Sequence, residues 1–189
     1  MKNFKQANSQ GGFTLIELLL VLAIIAALAI AAFIVYPRVQ AGRNATYEAQ
    51  VLSSAQAGVK ALFTTNNYDK ITTQVALDSE LFPKNMNVSA TEIKNQWDGV
   101  VTVTPSAADG SAGTAAGTVD RFFKIDYDSV PTDVCIRLAG AAVQNFGTVL
   151  IDDVIVQDTY SDPQVPLDEA AIATNCKAAT AVKMTFVSN

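Results

Sequence analysis

The chain has 189 residues, with 13 Lys and Arg against 18 Asp and Glu, no histidine and two cysteines. A net charge of −5 without clustered cations argues against direct nucleic-acid binding by the monomer. The absence of histidine removes imidazole acid–base chemistry, Ser-His and Cys-His pairs and the usual zinc sets.

Residues 1–12 form a short leader with Lys2 and Lys5 and no acid, which the positive-inside bias holds in the cytoplasm. Next comes Gly11-Gly12-Phe13-Thr14-Leu15-Ile16-Glu17, and from Leu18 to Tyr36 no side chain is charged or strongly polar. That run meets the ~18 residues from which an apolar segment reads as a helical membrane span. Glu17 stands near its start, where a carboxylate costs less than the roughly 2.5–3.5 kcal/mol it would cost at the bilayer centre. A functional partner for Glu17 is therefore expected, in preference to an ordinary anchor with a chance acid. A secretory signal would be cut behind its apolar run. Here the two glycines leave an accessible backbone in front of it, at Gly12–Phe13.

Gly-Phe-Thr-Leu-Ile-Glu ahead of a full-length apolar helix resembles the class III signal of type IV prepilins and the related pseudopilins. The resemblance implies cleavage after Gly12 by a prepilin peptidase and N-methylation of the new N-terminal Phe13. It also implies that Glu17 pairs with the Phe13 amine of a neighbouring subunit. A chain of this kind is stored in the inner membrane and assembled on a platform there into a helical surface filament. Loss of Lys2 and Lys5 with the leader takes the side-chain charge from −5 to −7.

Beyond the span, Pro37 is expected to kink the helix without ending it, because helical spacing resumes at once. Val39, Arg43, Tyr47, Val51, Leu52, Ala55, Val59, Leu62 and Phe63 form one stripe, with Gln50, Ser53, Gln56 and Lys60 largely off it. Asn66-Asn67 ends the pattern. At 1.5 Å per residue, the helix from Phe13 to about Thr65 would be about 80 Å long, and its second half needs a globular domain to cover the stripe. The organisation read from this is a leader (1–12), a membrane or filament-core half-helix (13–36), an amphipathic half-helix (37–66) and a globular head (67–189).

In the head, Thr73 to Leu81 has helical spacing closed by Pro83, and Thr91-Glu92-Ile93 reads as a further turn. Asn95-Gln96-Trp97-Asp98-Gly99 is turn chemistry leading into the strand pattern Val100 to Thr104. This Trp-x-Gly turn before Val-Thr-Val is similar to the start of the sheet in type IVb-like pilins, including those of conjugative thin pili. Ser106 to Thr118, almost wholly Gly, Ala, Ser and Thr, reads as an exposed flexible loop. Arg121 to Tyr127, Thr148 to Val156 and Ala181 to Val187 are strand candidates, Cys135 to Leu138 is a strand or a helix start, and Leu167 to Thr174 is a short helix.

The fold class expected is α+β, a pilin-like lollipop in which the long helix packs on an antiparallel sheet of about four strands. Cys135 and Cys176 enclose a loop of 41 residues in the outward-facing part, and an oxidising compartment would pair them. Asp120, Asp126, Asp128, Asp133, Asp152 and Asp153 are the only carboxylate clusters; they have no EF-hand spacing and read as solvated strand ends, so no metal is assigned. No Walker, Gly-x-Gly-x-x-Gly or Gly-x-Ser-x-Gly pattern is present, and neither a catalytic residue nor a cofactor is assigned. The function expected is the major subunit of a type IV pilus used in conjugation or adhesion. A minor pilin or a secretion pseudopilin is the alternative within the family, and a membrane-anchored binding domain is the alternative outside it.

Overall fold

The computed structural model describes residues 13–113 and 120–189, so the leader and Gly12 lie outside the described residues. Helix α1 runs Leu15–Leu62 without a break, with Pro37 inside it. The chain divides into two compact units, one up to Val39 and one from Gln40 onward.

In the second unit, the segment of α1 from Gln40 joins α2 (Thr73–Asp78), α3 (Thr132–Ala142) and α4 (Glu169–Asn175) with strands β1 (Ile93–Lys94), β2 (Val100–Ser106), β3 (Phe122–Pro131), β4 (Thr148–Ile151), β5 (Val154–Asp158) and β6 (Ala181–Ser188). All pairings are antiparallel, in the order β1-β2-β3-β6-β4-β5. The α+β class is as expected; the sheet has six strands where about four were read. The C-terminal strand lies in the middle of the sheet, between β3 and β4, with pairings across 33 to 65 residues that no local pattern reveals.

Two of the differences are turns. Thr148 to Val156 reads as one strand, but Asp152 and Asp153 both adopt positive φ, 47° and 63°, and fold it into the β4–β5 hairpin. A two-residue turn of this hand matches the twist of its strands and favours Asn, Asp and Gly. Asp152 secures it by accepting the Lys183 N–H through Oδ1 at 2.8 Å. The carboxylates taken for solvated strand ends thus set a strand reversal. Likewise Ile93, read as part of a helical turn, opens the short strand β1. The ambiguity at Cys135 resolves as helix α3.

Alternation along β2, β3, β4 and β6 buries Val101, Val103, Phe123, Ile125, Tyr127, Val149, Ile151, Met184 and Phe186 in one core with Val51, Leu52, Ala55 and Val59 of α1. Edge-on and tilted ring contacts run through it, Tyr68–Phe123 at 4.8 Å and Tyr127–Phe186 at 6.0 Å. The helix stripe needs correction. Arg43 is exposed, as are Val39 and Leu62, while Gln56 is buried. Gln56 can enter the core because both hydrogens of its amide are used: Nε2 donates to Asn145 O and to Ser188 Oγ, each at 2.7 Å. Glu48, which the spacing did not single out, is wholly buried.

The loop after β2 is not free along its whole length. Gly110 is buried at φ 85°, where a Cβ would lie 2.8 Å from Leu150 Cδ1. Lys124 Nζ donates to Gly110 O at 3.0 Å and Thr148 Oγ1 to Ala108 O at 2.7 Å, so residues 107–110 are laid on the outer face of the sheet. The remainder of the Gly/Ala/Ser segment, 114–118, lies outside the described residues.

Asp158, at the end of β5, organises the next loop. It is buried and accepts from the Thr148 hydroxyl at 2.9 Å, from the Tyr160 and Ser161 N–H groups at 2.9 and 3.2 Å, and from the Ser161 hydroxyl. Burial alone would raise this carboxyl, but these donors, the Ser161 hydroxyl foremost, hold it below the ordinary aspartate range. A depressed folded value means stability that is present above the unfolded pKa, about 3.9, and is lost as pH falls through the lower folded value. Asp158→Asn keeps one acceptor oxygen but turns an NH2 group toward the donors. It is expected to cost about 2 kcal/mol at neutral pH and to flatten the loss of stability below about pH 4. Thermal unfolding at pH 3 and pH 7 checks both; an unchanged melting temperature at pH 7 would remove the role given to this carboxylate.

Candidate assembly site

In the first unit, every described residue is exposed, from Phe13, 85% exposed, through Leu15, Leu22, Phe33 and Tyr36 to Val39. None of the described residues covers this apolar surface, and a patch of this kind on a protein marks a membrane or interaction surface. The segment passes the length and hydropathy requirements of a membrane span.

Its start is built by Thr14. Glu17 N–H donates to Thr14 O at 3.1 Å and approaches Thr14 Oγ1 at 3.4 Å, so Thr14 caps the first turn. Thr14-Leu15-Ile16-Glu17 carries the spacing of a capping box, a local use for these residues that the signal resemblance had masked. The backbone half of that box is formed. The Glu17 carboxylate itself takes no hydrogen bond or ion pair among the described residues, although it sits in the acidic-favouring first turn. An acid on an exposed apolar helix without a partner among the described residues is available to a partner from another chain. Gly12 lies outside the described residues, and Pro37 is placed mid-helix.

The two cysteines come together as a disulfide, Cys135 on α3 and Cys176 immediately after α4, with Cα atoms 5.6 Å apart. Both are buried. The pairing is as expected, and the bond ties α3 to the region between β5 and β6. Trp97, half-buried against the core, serves the turn that opens β2. There Asn95 Oδ1 accepts the N–H of Trp97 and of Gly99, both at 2.9 Å, and Asn95 Nδ2 donates to Asp128 O at 2.7 Å.

Three acids of the clusters, Asp126, Asp152 and Asp153, are engaged within the fold. Asp126 accepts the Thr185 hydroxyl and lies 3.8 Å from both Lys124 and Lys183, while Asp153 lies 3.7 Å from Lys183. Among the described residues no group of three or more Cys, Asp or Glu side chains is arranged to hold a metal ion.

Residues 42–189 match the family described as PilS N terminal, and residues 7–33 match the prokaryotic N-terminal methylation motif. Among solved structures, the type IVb pilin of Salmonella typhi is similar over 75% of this chain and 97% of its own, at 13% identity and a TM-score of 0.55. TcpA, a type IV pilin of Vibrio cholerae El Tor biotype, is similar over 78% of this chain and 99% of its own, at 12% identity and a TM-score of 0.53. At these identities the likeness shows the fold. No curated protein sequence matches the chain. The family assignment rests on most of the chain, the methylation motif covers the segment that carries Phe13 and Glu17, and the members are structural subunits. The chain belongs to the PilS family of type IV pilins and is a pilus subunit.

Proposed function

We propose that this chain is the major subunit of its pilus and follows the full prepilin route. A prepilin peptidase cuts after Gly12, Phe13 becomes the N-methylated first residue, and the subunit waits in the inner membrane until an assembly platform adds it to a helical filament. The observation that supports the reading is the exposed apolar helix from Phe13 to Val39 with Glu17 in its first turn, whose carboxylate has no partner among the described residues.

The helix serves two apolar surroundings in turn, lipid and then a filament core made of the same segments, so transfer between them need not expose it to water. A Glu17 carboxylate in that core is costly unless it meets a protonated amine, and the Phe13 amine of the neighbouring subunit supplies one. A subunit out of register leaves both charges unpaired, which fixes the axial step. Repeated contact of this head-to-tail kind builds an open helix and not a closed ring. Pro37 has no N–H to bond the Phe33 carbonyl and supplies a kink where the helix yields as subunits pack. Conjugation and adhesion are the uses proposed for the filament.

The test is the intact mass and N-terminal sequence of protein sheared from the cell surface. A chain lighter by residues 1–12, beginning at Phe13 and heavier by one methyl group, is expected as the dominant species. A chain still carrying Met1, absent from the sheared fraction, would overturn the route.

A further inference from the structure

The head holds its helix by a carboxylate that has no cation partner among the described residues. Glu48, on the buried face of α1, is 0% exposed. Its Oε1 accepts the Gln96 N–H at 3.0 Å, from the β1–β2 turn, and its Oε2 accepts the Tyr127 hydroxyl at 3.1 Å, from β3. One side chain therefore bonds the helix to two separate parts of the head. The ionisable groups around it are Tyr127 and, on its own helix, Tyr47, whose hydroxyl is engaged with Asn85 at 3.3 Å. From the turn it receives only a neutral amide; Lys94 and Asp98 of that segment form no ion pair with it. The charged neighbour on β3, Asp126, is bonded to Thr185 and flanked by Lys124 and Lys183 on the opposite face of the strand.

We propose that Glu48 is a proton-dependent latch between the helix and the head, closed most firmly when the carboxyl is protonated. Both protonation states fit the site without rearrangement. Ionised, the carboxylate accepts from both donors but remains a desolvated charge without a counter-ion. Protonated, Oε1 keeps the Gln96 N–H while the Oε2 proton is donated to the Tyr127 oxygen, whose own hydrogen turns away. Burial disfavours the charged form, and only two neutral hydrogen bonds oppose it, so desolvation raises the carboxyl above its ordinary value. The sign follows. A folded value above the unfolded one means that the stabilisation is complete below the unfolded pKa, about 4.3, and is lost as pH rises through the folded value. The joint between helix and head is thus tighter in mildly acidic surroundings than in alkaline ones, whatever the filament is used for.

The experiment compares thermal unfolding of the full chain in detergent from pH 4.5 to pH 9, wild type against Glu48→Gln. Glutamine keeps the shape, accepts from Gln96 and donates to Tyr127, with no charge to desolvate. At pH 8–9 the variant is expected to melt roughly 2–6 °C above wild type, and the gap is expected to close toward pH 4.5. A gap that stays constant across the range, or widens toward acid, overturns the proposal. The carboxylic C=O infrared band supplies a second reading that does not depend on stability. It should be present in the wild type at mildly acidic pH, vanish as pH rises and be missing from Glu48→Gln. In Tyr127→Phe, which removes a hydrogen bond favouring the carboxylate, its midpoint should move to higher pH. An identical band in wild type and Glu48→Gln, or no shift in Tyr127→Phe, overturns it as well.

Discussion

Glu17→Ala or Glu17→Val is expected to cut surface filaments by more than about tenfold while leaving leader removal largely intact. Breaking a buried charge pair by removing one member costs about 3–5 kcal/mol, because the other member is left desolvated. In the proposed pairing that member is the Phe13 amine, and each subunit added to a filament would carry the penalty. Since roughly 1.4 kcal/mol is a tenfold change in an equilibrium, polymerisation fails long before folding is affected. The head should be unaffected by the substitution, as the Glu17 carboxylate makes no hydrogen bond or ion pair among the described residues. The measurement is the amount of subunit in sheared surface fractions against processed subunit in membranes. Wild-type filament yield from either variant would remove the pairing mechanism, and Glu17 would then be left with its local role beside the Thr14 cap.

Cys135→Ser is expected to have the largest effect on the head. The bond closes a loop of 41 residues that contains β4, β5 and α4. Constraint of the unfolded chain by such a loop is worth about 4 kcal/mol in the chain-entropy account, and a melting temperature moves about 2–4 °C per kcal/mol in a chain of this length. A fall of roughly 8–16 °C is therefore predicted, and Cys176→Ser should match it, because either change opens the same loop. The cysteines are also part of the core, so Cys135→Ala with Cys176→Ala separates the lost bond from the burial of a hydroxyl. A double-alanine variant melting within about 2 °C of wild type would show that packing of α3 and α4, and not the cross-link, holds this region.

Much of the molecule could be read from its residues. The span, the acid in its first turn and the glycine pair are contiguous, and each makes its physical point without a distant partner. Strands β2, β3 and β6 were legible as well, because apolar and polar residues largely alternate along them. The β4–β5 hairpin was not, because Asp152-Asp153 reads equally as a solvated strand end or as a turn. Only the cross-strand neighbour, with Lys183 N–H bound to Asp152, decides between them. The stripe on α1 failed at Arg43 and Gln56 for a similar reason. Spacing gives the period of a helix, but a polar side chain enters the core wherever the fold supplies its partners, and Asn145 and Ser188 lie roughly ninety and a hundred and thirty residues away.

The residues alone were enough to say what the N-terminal helix demands of its surroundings. A long apolar helix must find an apolar surrounding, and a lone carboxylate beside it must find a charge; both demands are local and follow from solvation. Tertiary structure alone decided how the head grips the helix. Glu48 lies on the buried side of the helix spacing, three residues before Val51 and four before Leu52, yet nothing near it in the chain supplies the partners that let a carboxylate stay there. It becomes a latch because the order β1-β2-β3-β6-β4-β5 brings Tyr127 and the Gln96 turn over one point of the helix, and long-range pairing is what local chemistry cannot specify.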